Sequence, residues 1–284
     1  MKTSAVLLIS CPDRKGLVAT VSDFIYRHGG NILHTDEHTD ADSSWFLMRV
    51  EFDPADFDIP LGEMSGHFVP IAQKFDMDWR LTQPGERKKM AIMVSKYDHC
   101  LVDLLYRHKI GELRCDIPLI LSNHPDNRPI ADFYQIPFFI VPVSRDNKRE
   151  AEQKQIALIR EHHVDFTVLA RYMQVLSNEF VASFPHRIIN IHHSFLPAFV
   201  GAKPYHQAFQ RGVKLIGATS HYVTEELDDG PIIEQDVVRI SHRDSVEDLI
   251  QKGRDLEKVV LSRGVRWHID DRVLLYRNKT VVFD

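Results

Sequence analysis

Two segments in the last third of the chain carry side chains that can act on a carbonyl carbon. The first is Asn190-Ile191-His192-His193-Ser194-Phe195-Leu196-Pro197. The second is His221-Tyr222-Val223-Thr224-Glu225-Glu226-Leu227-Asp228-Asp229-Gly230, followed by Pro231. Side chains alternate along an extended strand, so Asn190, His192 and Ser194 fall on one face. The second segment brings a carboxylate on a turn that ends in Gly-Pro. An amide donor steadies a developing oxyanion, an imidazole handles a proton, and an acid orients or deprotonates.

Each residue type also has a plainer reading. A lone histidine is more often a hydrogen-bonded core residue than a catalyst, and an asparagine often caps a loop. Three polar side chains alternating after the apolar pair Ile188-Ile189 weigh against that. A metal is disfavoured although the chain has 16 histidines. His162-His163 and His192-His193 are adjacent pairs, whose side chains diverge on a strand and do not face each other on a helix. Neither His-Glu-x-x-His nor a Cys/His cluster occurs in the sequence. Ser95, Ser194 and Ser220 sit in no Gly-x-Ser-x-Gly elbow, so attack by water is the simpler chemistry.

Bulk composition narrows the class. The 284 residues are 44% hydrophobic and 26% charged, with a net charge of −5. That suits two globular domains and gives no basic footprint for nucleic acid, since Arg87-Lys88-Lys89 is a short run suited to a linker. The three cysteines, Cys11, Cys100 and Cys115, share no metal-ligand spacing and point to a reducing compartment. No cleavable signal and no bilayer-length apolar stretch is evident. A cytoplasmic location is expected.

The elements that must position these residues follow from periodicity. Residues 5–10 read as a strand, 17–28 as a helix with Leu17, Val21, Phe24 and Ile25 at helical spacing, and Gly29-Gly30 as its stop. Strands over 31–39 and 45–52, a helical stripe from Leu61 to Phe75 and a strand over 76–82 complete a βαββαβ order, the ferredoxin-like arrangement. Gln83-Pro84-Gly85 and the charge run after it mark a boundary. Short apolar strands at 90–95, 117–122, 138–141 and 166–169 then alternate with helices over 100–106 and 147–162. This predicts an α/β domain with a mainly parallel sheet covered by helices. A helix over 246–265 and a hairpin around Asn278-Lys279 close the chain. The expected domains are 1–83 and 90–284, with 84–89 as linker.

Asn190-Ile191-His192-x-Ser194-x-Leu196-Pro197, with His221 and the Leu227-Asp228-x-Gly230 turn, resembles the folate-dependent formyltransferase family from about Met90 onward. The resemblance implies a Rossmann-like domain. It implies that Asn190 and His192 polarise a formyl oxygen while Asp228 orders the reacting water. It puts the pterin ring of 10-formyltetrahydrofolate in a groove with residues 169–176 on one wall and 223–227 on the other. Arg171, Tyr172, Met173, Leu176, His221, Val223, Thr224, Glu225, Glu226 and Leu227 are thus the expected substrate-binding residues. Arg171 suits the carboxylates of a folate glutamate tail, or a surface salt bridge. Met173 and Leu176 equally suit core packing. Neither a metal nor a cofactor is implied.

Members of that family differ in what accepts the formyl group. A phosphate-bearing acceptor calls for a Gly-rich loop after the first strand, because backbone donors must approach the phosphate closely. Here Ser95-Lys96-Tyr97-Asp98-His99-Cys100-Leu101 follows, without glycine. A tRNA acceptor calls for a further C-terminal barrel and a basic surface, and this chain is acidic and ends sooner. Water remains. Ser95-Lys96-x-x-His99-Cys100-Leu101, Ser122-Asn123-His124 and Gly201-Ala202-Lys203-Pro204-Tyr205 resemble the 10-formyltetrahydrofolate hydrolases of the family. The resemblance implies hydrolysis of a linear amide C–N bond to give tetrahydrofolate and formate, balancing one-carbon pools and feeding purine biosynthesis. Formyl transfer to an unidentified amine is the alternative, and a catalytically idle folate-binding regulator is a second.

The front domain is similar to ACT domains. Cys11-Pro12-Asp13-Arg14-Lys15-Gly16-Leu17 resembles their strand-to-helix loop, and Gly30-Asn31-Ile32 the start of their second strand. This implies an amino-acid effector at Asp13, Gly16 and Asn31, although Asp13 and Asn31 are equally good turn and cap residues. Edge pairing between such domains implies a homo-oligomer.

Overall fold

The first strand, β1 (Ala5–Pro12), is buried along almost its whole length. It therefore needs neighbours on both edges. β3 (Trp45–Asp53) and β4 (Asp78–Thr82) supply them, both antiparallel, and β2 (Asn31–Asp40) pairs outside β3. The sheet order β2-β3-β1-β4 is that of the expected ferredoxin-like fold. Helices α1 (Leu17–Arg27) and α2 (Met64–Phe75) lay their apolar stripes on one face. Leu7, Ile9, Val21, Ile25, Met48, Val50 and Phe68 form the core beneath them.

This computed structural model describes residues 4–197 and 204–284. The chain falls into two compact units, Met1–Glu86 with Asp270–Asp284, and Arg87–Ile269. The division lies inside the expected linker. The end of the chain differs from the sequence reading, which carried the second domain to residue 284: residues 270–284 pack with the first unit. Their β12 (Val273–Tyr276) and β13 (Lys279–Val282) form the expected hairpin. Arg49, on β3, gives the physical reason. Its side chain is almost fully buried beside Glu51 at 2.7 Å, and its Nε donates to the Asp271 carbonyl at 3.1 Å. A buried guanidinium needs such acceptors. Arg80 adds a bond to the Asp271 carboxylate at 2.8 Å, and Tyr276 donates to Asp40 at 2.8 Å.

In the second unit, β5 (Lys89–Val94), β6 (Asp116–Ser122), β7 (Phe138–Ile140), β8 (Phe166–Leu169) and β9 (Ile188–His192) run parallel. They are apolar runs rather than alternating ones, as strands covered on both faces must be. Helices α3 (His99–Lys109), α4 (Arg128–Phe133), α5 (Lys148–Glu161) and α6 (Asn178–Ser183) lie between them. β10 (Leu215–Tyr222) pairs antiparallel with β9, and β11 (Ile232–Arg239) antiparallel with β10. The seven-stranded order is β11-β10-β9-β8-β5-β6-β7. The chain winds outward from β5 through β6 and β7, then returns to β8, so the carboxyl ends of β5 and β8 flank the switch point where such sheets bind ligands.

Two further helices, α7 (Pro204–Arg211) and α8 (Val246–Ile269), complete the unit. β10 was not legible as a strand because Thr219, Ser220 and His221 are polar, yet all three are buried. Ser220 is small so that α8 can approach: a side chain on Gly264 would overlap it. No helix among the described residues is long and apolar enough to cross a membrane.

Candidate active site

β9 delivers Asn190 and His192 to the switch-point end of the sheet, two residues apart and so on the same face. Beyond it the chain bends. Ser194 is buried, and its carbonyl accepts the Thr219 hydroxyl at 2.9 Å. Asp228 comes from the turn between β10 and β11, in a left-handed backbone conformation with φ +57°. Aspartate tolerates that region better than most residues. Its Oδ1 lies 3.2 Å from His192 Nδ1. Burial pushes the Asp228 carboxyl up, but the hydrogen bond with His192 and the neighbouring imidazoles outweigh it and hold the group below its ordinary value. His192 Nε2 is buried and has no hydrogen-bond partner. His221 stands directly across from Asn190 in the β9–β10 register, with Nε2 3.2 Å from Asn190 Nδ2.

His193 departs from the sequence reading. As a strand residue it would point away from His192. It lies past the end of β9, where alternation no longer holds, and its ring stacks on that of His192 with centroids 5.3 Å apart. Burial pushes its pKa down to about 4, aided by the charge of Arg171 and opposed by that of Glu257.

These groups border a cavity of about 290 Å³. Every expected substrate-binding residue lines it: Arg171, Tyr172, Met173 and Leu176 after β8, His221 on β10, and Val223, Thr224, Glu225, Glu226 and Leu227 after β10. Leu169, Gln174, Val175, Ile191 and His193 complete the lining. The residues differ in what they offer. The Tyr172 hydroxyl is bound to Gln155 at 2.9 Å in the core, and Leu176 and Val223 pack against that core. Met173, Val175 and Leu227 are exposed and form an apolar rim.

The formyl transferase family model matches residues 88–265, and the ACT domain model matches residues 5–61. A formyltetrahydrofolate deformylase of Synechocystis is 53% identical over 280 residues, 99% of this chain and 98% of the relative. The chain belongs to the formyltetrahydrofolate deformylase family. A crystal structure of a deformylase from Pseudomonas syringae pv. tomato superposes with a TM-score of 0.97 at 52% identity, covering 99% of this chain and 94% of that one. A phosphoribosylglycinamide formyltransferase from Anaplasma phagocytophilum matches with a TM-score of 0.64 at 32% identity, covering 70% of this chain and 96% of the other. The deformylase relatives thus share both units, in keeping with the fold expected from sequence.

In this member of the deformylase family, Arg171 lines the cavity and also forms an ion pair, the alternative role its sequence allows. Its guanidinium lies 3.5 Å from Glu257 of α8, and both side chains are largely buried. Glu257 also accepts from Tyr205 at 2.6 Å and is bonded to His99 Nε2 at 2.8 Å. Burial raises the Glu257 carboxyl, but His99, Arg171 and Tyr205 together bring it below its ordinary value. Sequence reading missed this group. The available signal was spacing, since Glu257 falls in the buried stripe of α8 with Leu249, Gly253 and Val260. His99, Cys100 and Glu257 are close enough to share a metal ion. The Arg171 cation and the existing bonds to the carboxylate oppose that use.

The loop after β5 begins at Ser95, whose backbone and side-chain groups are all engaged. Ser95 N–H donates to the Arg171 carbonyl at 3.3 Å, and the Ser95 carbonyl accepts from Asn127 at 2.7 Å. The Ser95 hydroxyl donates to Asn123 at 2.7 Å and accepts from Met173 N–H at 3.0 Å. His99, the first residue of α3, bonds the Glu257 carboxylate through its ring. Of the motif Gly201-Ala202-Lys203-Pro204-Tyr205, the first three residues lie outside the described residues.

The expected effector residues of the deformylase first unit do not converge within one chain. Asn31 pairs with Asp53, whereas β1 ends beside Trp45, the far end of β3. Asp13 and Asn31 therefore lie at opposite ends of the sheet, about 25 Å apart by strand rise. Gly16, at φ +91°, caps α1 at the Asp13 end.

Proposed function

We propose that this protein hydrolyses 10-formyltetrahydrofolate to tetrahydrofolate and formate, with Asn190, His192 and Asp228 carrying the chemistry. The reading rests on one observation: the His192–Asp228 pair at 3.2 Å, beside the Asn190 amide on the same strand, at the wall of the cavity. The pterin ring enters between residues 169–176 and 223–227, and the formyl group meets β9.

Asp228 holds the Nδ1–H of His192 and thereby selects the tautomer, leaving Nε2 as the working nitrogen. A second Asp228 oxygen orients the attacking water. As water adds to the formyl carbon, Nε2 takes its proton, and the carbonyl oxygen becomes an oxyanion held by the Asn190 N–H and the charged imidazole. The intermediate then breaks at the C–N10 bond. Nε2 returns its proton to N10, and formate and tetrahydrofolate leave. Water is the acceptor in this reading because the loop after β5 has no glycine to let backbone donors close on a phosphate, and its first residue, Ser95, is bonded to Arg171 and Asn127.

The reaction belongs in the cytoplasm, where the free thiols Cys11, Cys100 and Cys115 stay reduced. There it returns formate to one-carbon and purine metabolism. An amino acid is the proposed effector of the first unit. Asp13 and Gly16 of one copy would meet Asn31 of another, so effector binding and homo-oligomer formation go together. The deciding assay incubates the protein with 10-formyltetrahydrofolate alone. Formate release without an added amine is expected, and release only on adding an amine would overturn the hydrolytic reading.

A further inference from the structure

We infer that His221 is a positioning residue, not a substrate contact: it fixes the Asn190 amide so that its NH2 end, rather than its carbonyl end, faces the formyl oxygen. The inference rests on the hydrolytic reading above and adds to it the device that orients the oxyanion donor.

The Tyr222 carbonyl beside His221 can only accept. His221 Nδ1 lies 3.0 Å from the Tyr222 carbonyl oxygen, so Nδ1 must carry the hydrogen. In the neutral ring Nε2 is then a bare lone pair. It faces the Asn190 side chain at 3.2 Å. Only the NH2 end of that amide can satisfy it, because the reversed amide would set oxygen against lone pair. The amide nitrogen has a second hydrogen, which is free to bind an oxyanion. The reversed amide would present a carbonyl oxygen there and repel it.

The surroundings keep the ring neutral and in place. Burial lowers the His221 pKa, with the Tyr222 carbonyl and the Asp228 charge opposing and the His192 charge assisting. Asp228 Oδ1 is 3.9 Å from Nε2, beyond a hydrogen bond, so it does not replace Asn190 as the partner. Tyr222, the next residue, points to the opposite strand face and bonds His268 on α8. A bulge between Ser220 and His221 in the pairing with β11 sets where His221 aims.

The Tyr222 carbonyl is itself fixed. Tyr222 N–H donates to the Pro231 carbonyl at 2.9 Å, closing the turn that carries Asp228. A side chain on Gly230 would overlap the Tyr222 oxygen. Glycine at 230 thus lets one turn deliver Asp228 to His192 while its base orients His221.

The test compares His221→Leu, which can neither donate nor accept, with His221→Gln, which can do both. His221→Leu should lower kcat by about 10²-fold, the usual loss of one oxyanion donor, with KM changed less than about threefold. His221→Gln should recover most of that loss. Asn190→Ala in the His221→Leu background should cost little more, because the amide is already misdirected. Wild-type kcat in His221→Leu, or full additivity with Asn190→Ala, would overturn the inference. The wild-type formate assay, run alongside, separates this from failure of the hydrolytic reading. Should His221→Leu fail to fold, ¹⁵N spectra of histidine-labelled wild-type protein give an independent answer. At pH 7.5 His221 should show a protonated Nδ1 and a lone-pair Nε2; the opposite tautomer or an imidazolium would overturn the inference.

Discussion

Arg171 lies 3.5 Å from Glu257, and the glutamate is only 1% exposed. A buried carboxylate stripped of its cation is costly, about 3–5 kcal/mol for loss of one partner. Arg171→Gln should therefore lower the melting temperature by several degrees. Its effect on KM should be the same for monoglutamylated and polyglutamylated substrate. A KM defect that grows with tail length, at unchanged melting temperature, would restore the tail-binding role expected from sequence.

Tyr205 reaches Glu257 by crossing α8 over Gly253, where any side chain would overlap its ring. Gly253→Ala should therefore destabilise the protein even though alanine is the better helix former. Tyr205→Phe should cost about 1–3 kcal/mol by leaving a buried carboxylate oxygen short of a donor. Urea unfolding of both variants checks this, and a more stable Gly253→Ala protein would refute it.

Asp228→Asn keeps the shape of the turn but cannot hold the Nδ1–H of His192 as a carboxylate does. kcat should fall about 10²–10⁴-fold, as should that of His192→Ala, while calorimetric binding of tetrahydrofolate stays within a few fold. Near-normal turnover in both variants would remove them from the chemistry.

His193 makes stability depend on pH. Its pKa falls from 6.5 in the unfolded chain to about 4, chiefly through burial. Between those values the unfolded state binds more protons, so the stabilisation present above pH 6.5 is lost as pH drops toward 4, by on the order of 3 kcal/mol at most. His193→Asn should flatten that slope in urea titrations at pH 5 and pH 7. An unchanged slope would mean that His193 binds its proton equally well in the folded and unfolded chain.

The apolar strands and amphipathic helices were legible because they are governed by local periodicity. β1, β3, β5, β6, β8 and the stripe of α1 needed only their own residues. The spacing of Asn190 and His192 on β9 was legible for the same reason. What escaped was set by tertiary contact. β10 is polar in sequence and buried in fact, because Gly217 lies against Phe195 and Ser220 against Gly264. The stacking of His193 on His192 depends on where β9 stops, and alternation cannot report that. Arg171 and Glu257 are far apart in sequence, and nothing local in either one names the other. Asp13 and Asn31 looked like one site only until strand register placed them at opposite ends of a sheet.

The second unit begins and ends at one place. Lys88 Nζ, near its start, donates to the carbonyl of Ile269, its last residue, at 2.8 Å. A segment whose two ends touch has the geometry of a cassette set into a host domain. The host here is interrupted between residues 86 and 270, and its closing hairpin is translated after the cassette. The Arg87–Ile269 cassette is therefore complete on the ribosome before its host is. A short graft joining Glu86 to Asp270 would give the host as a continuous chain of its own.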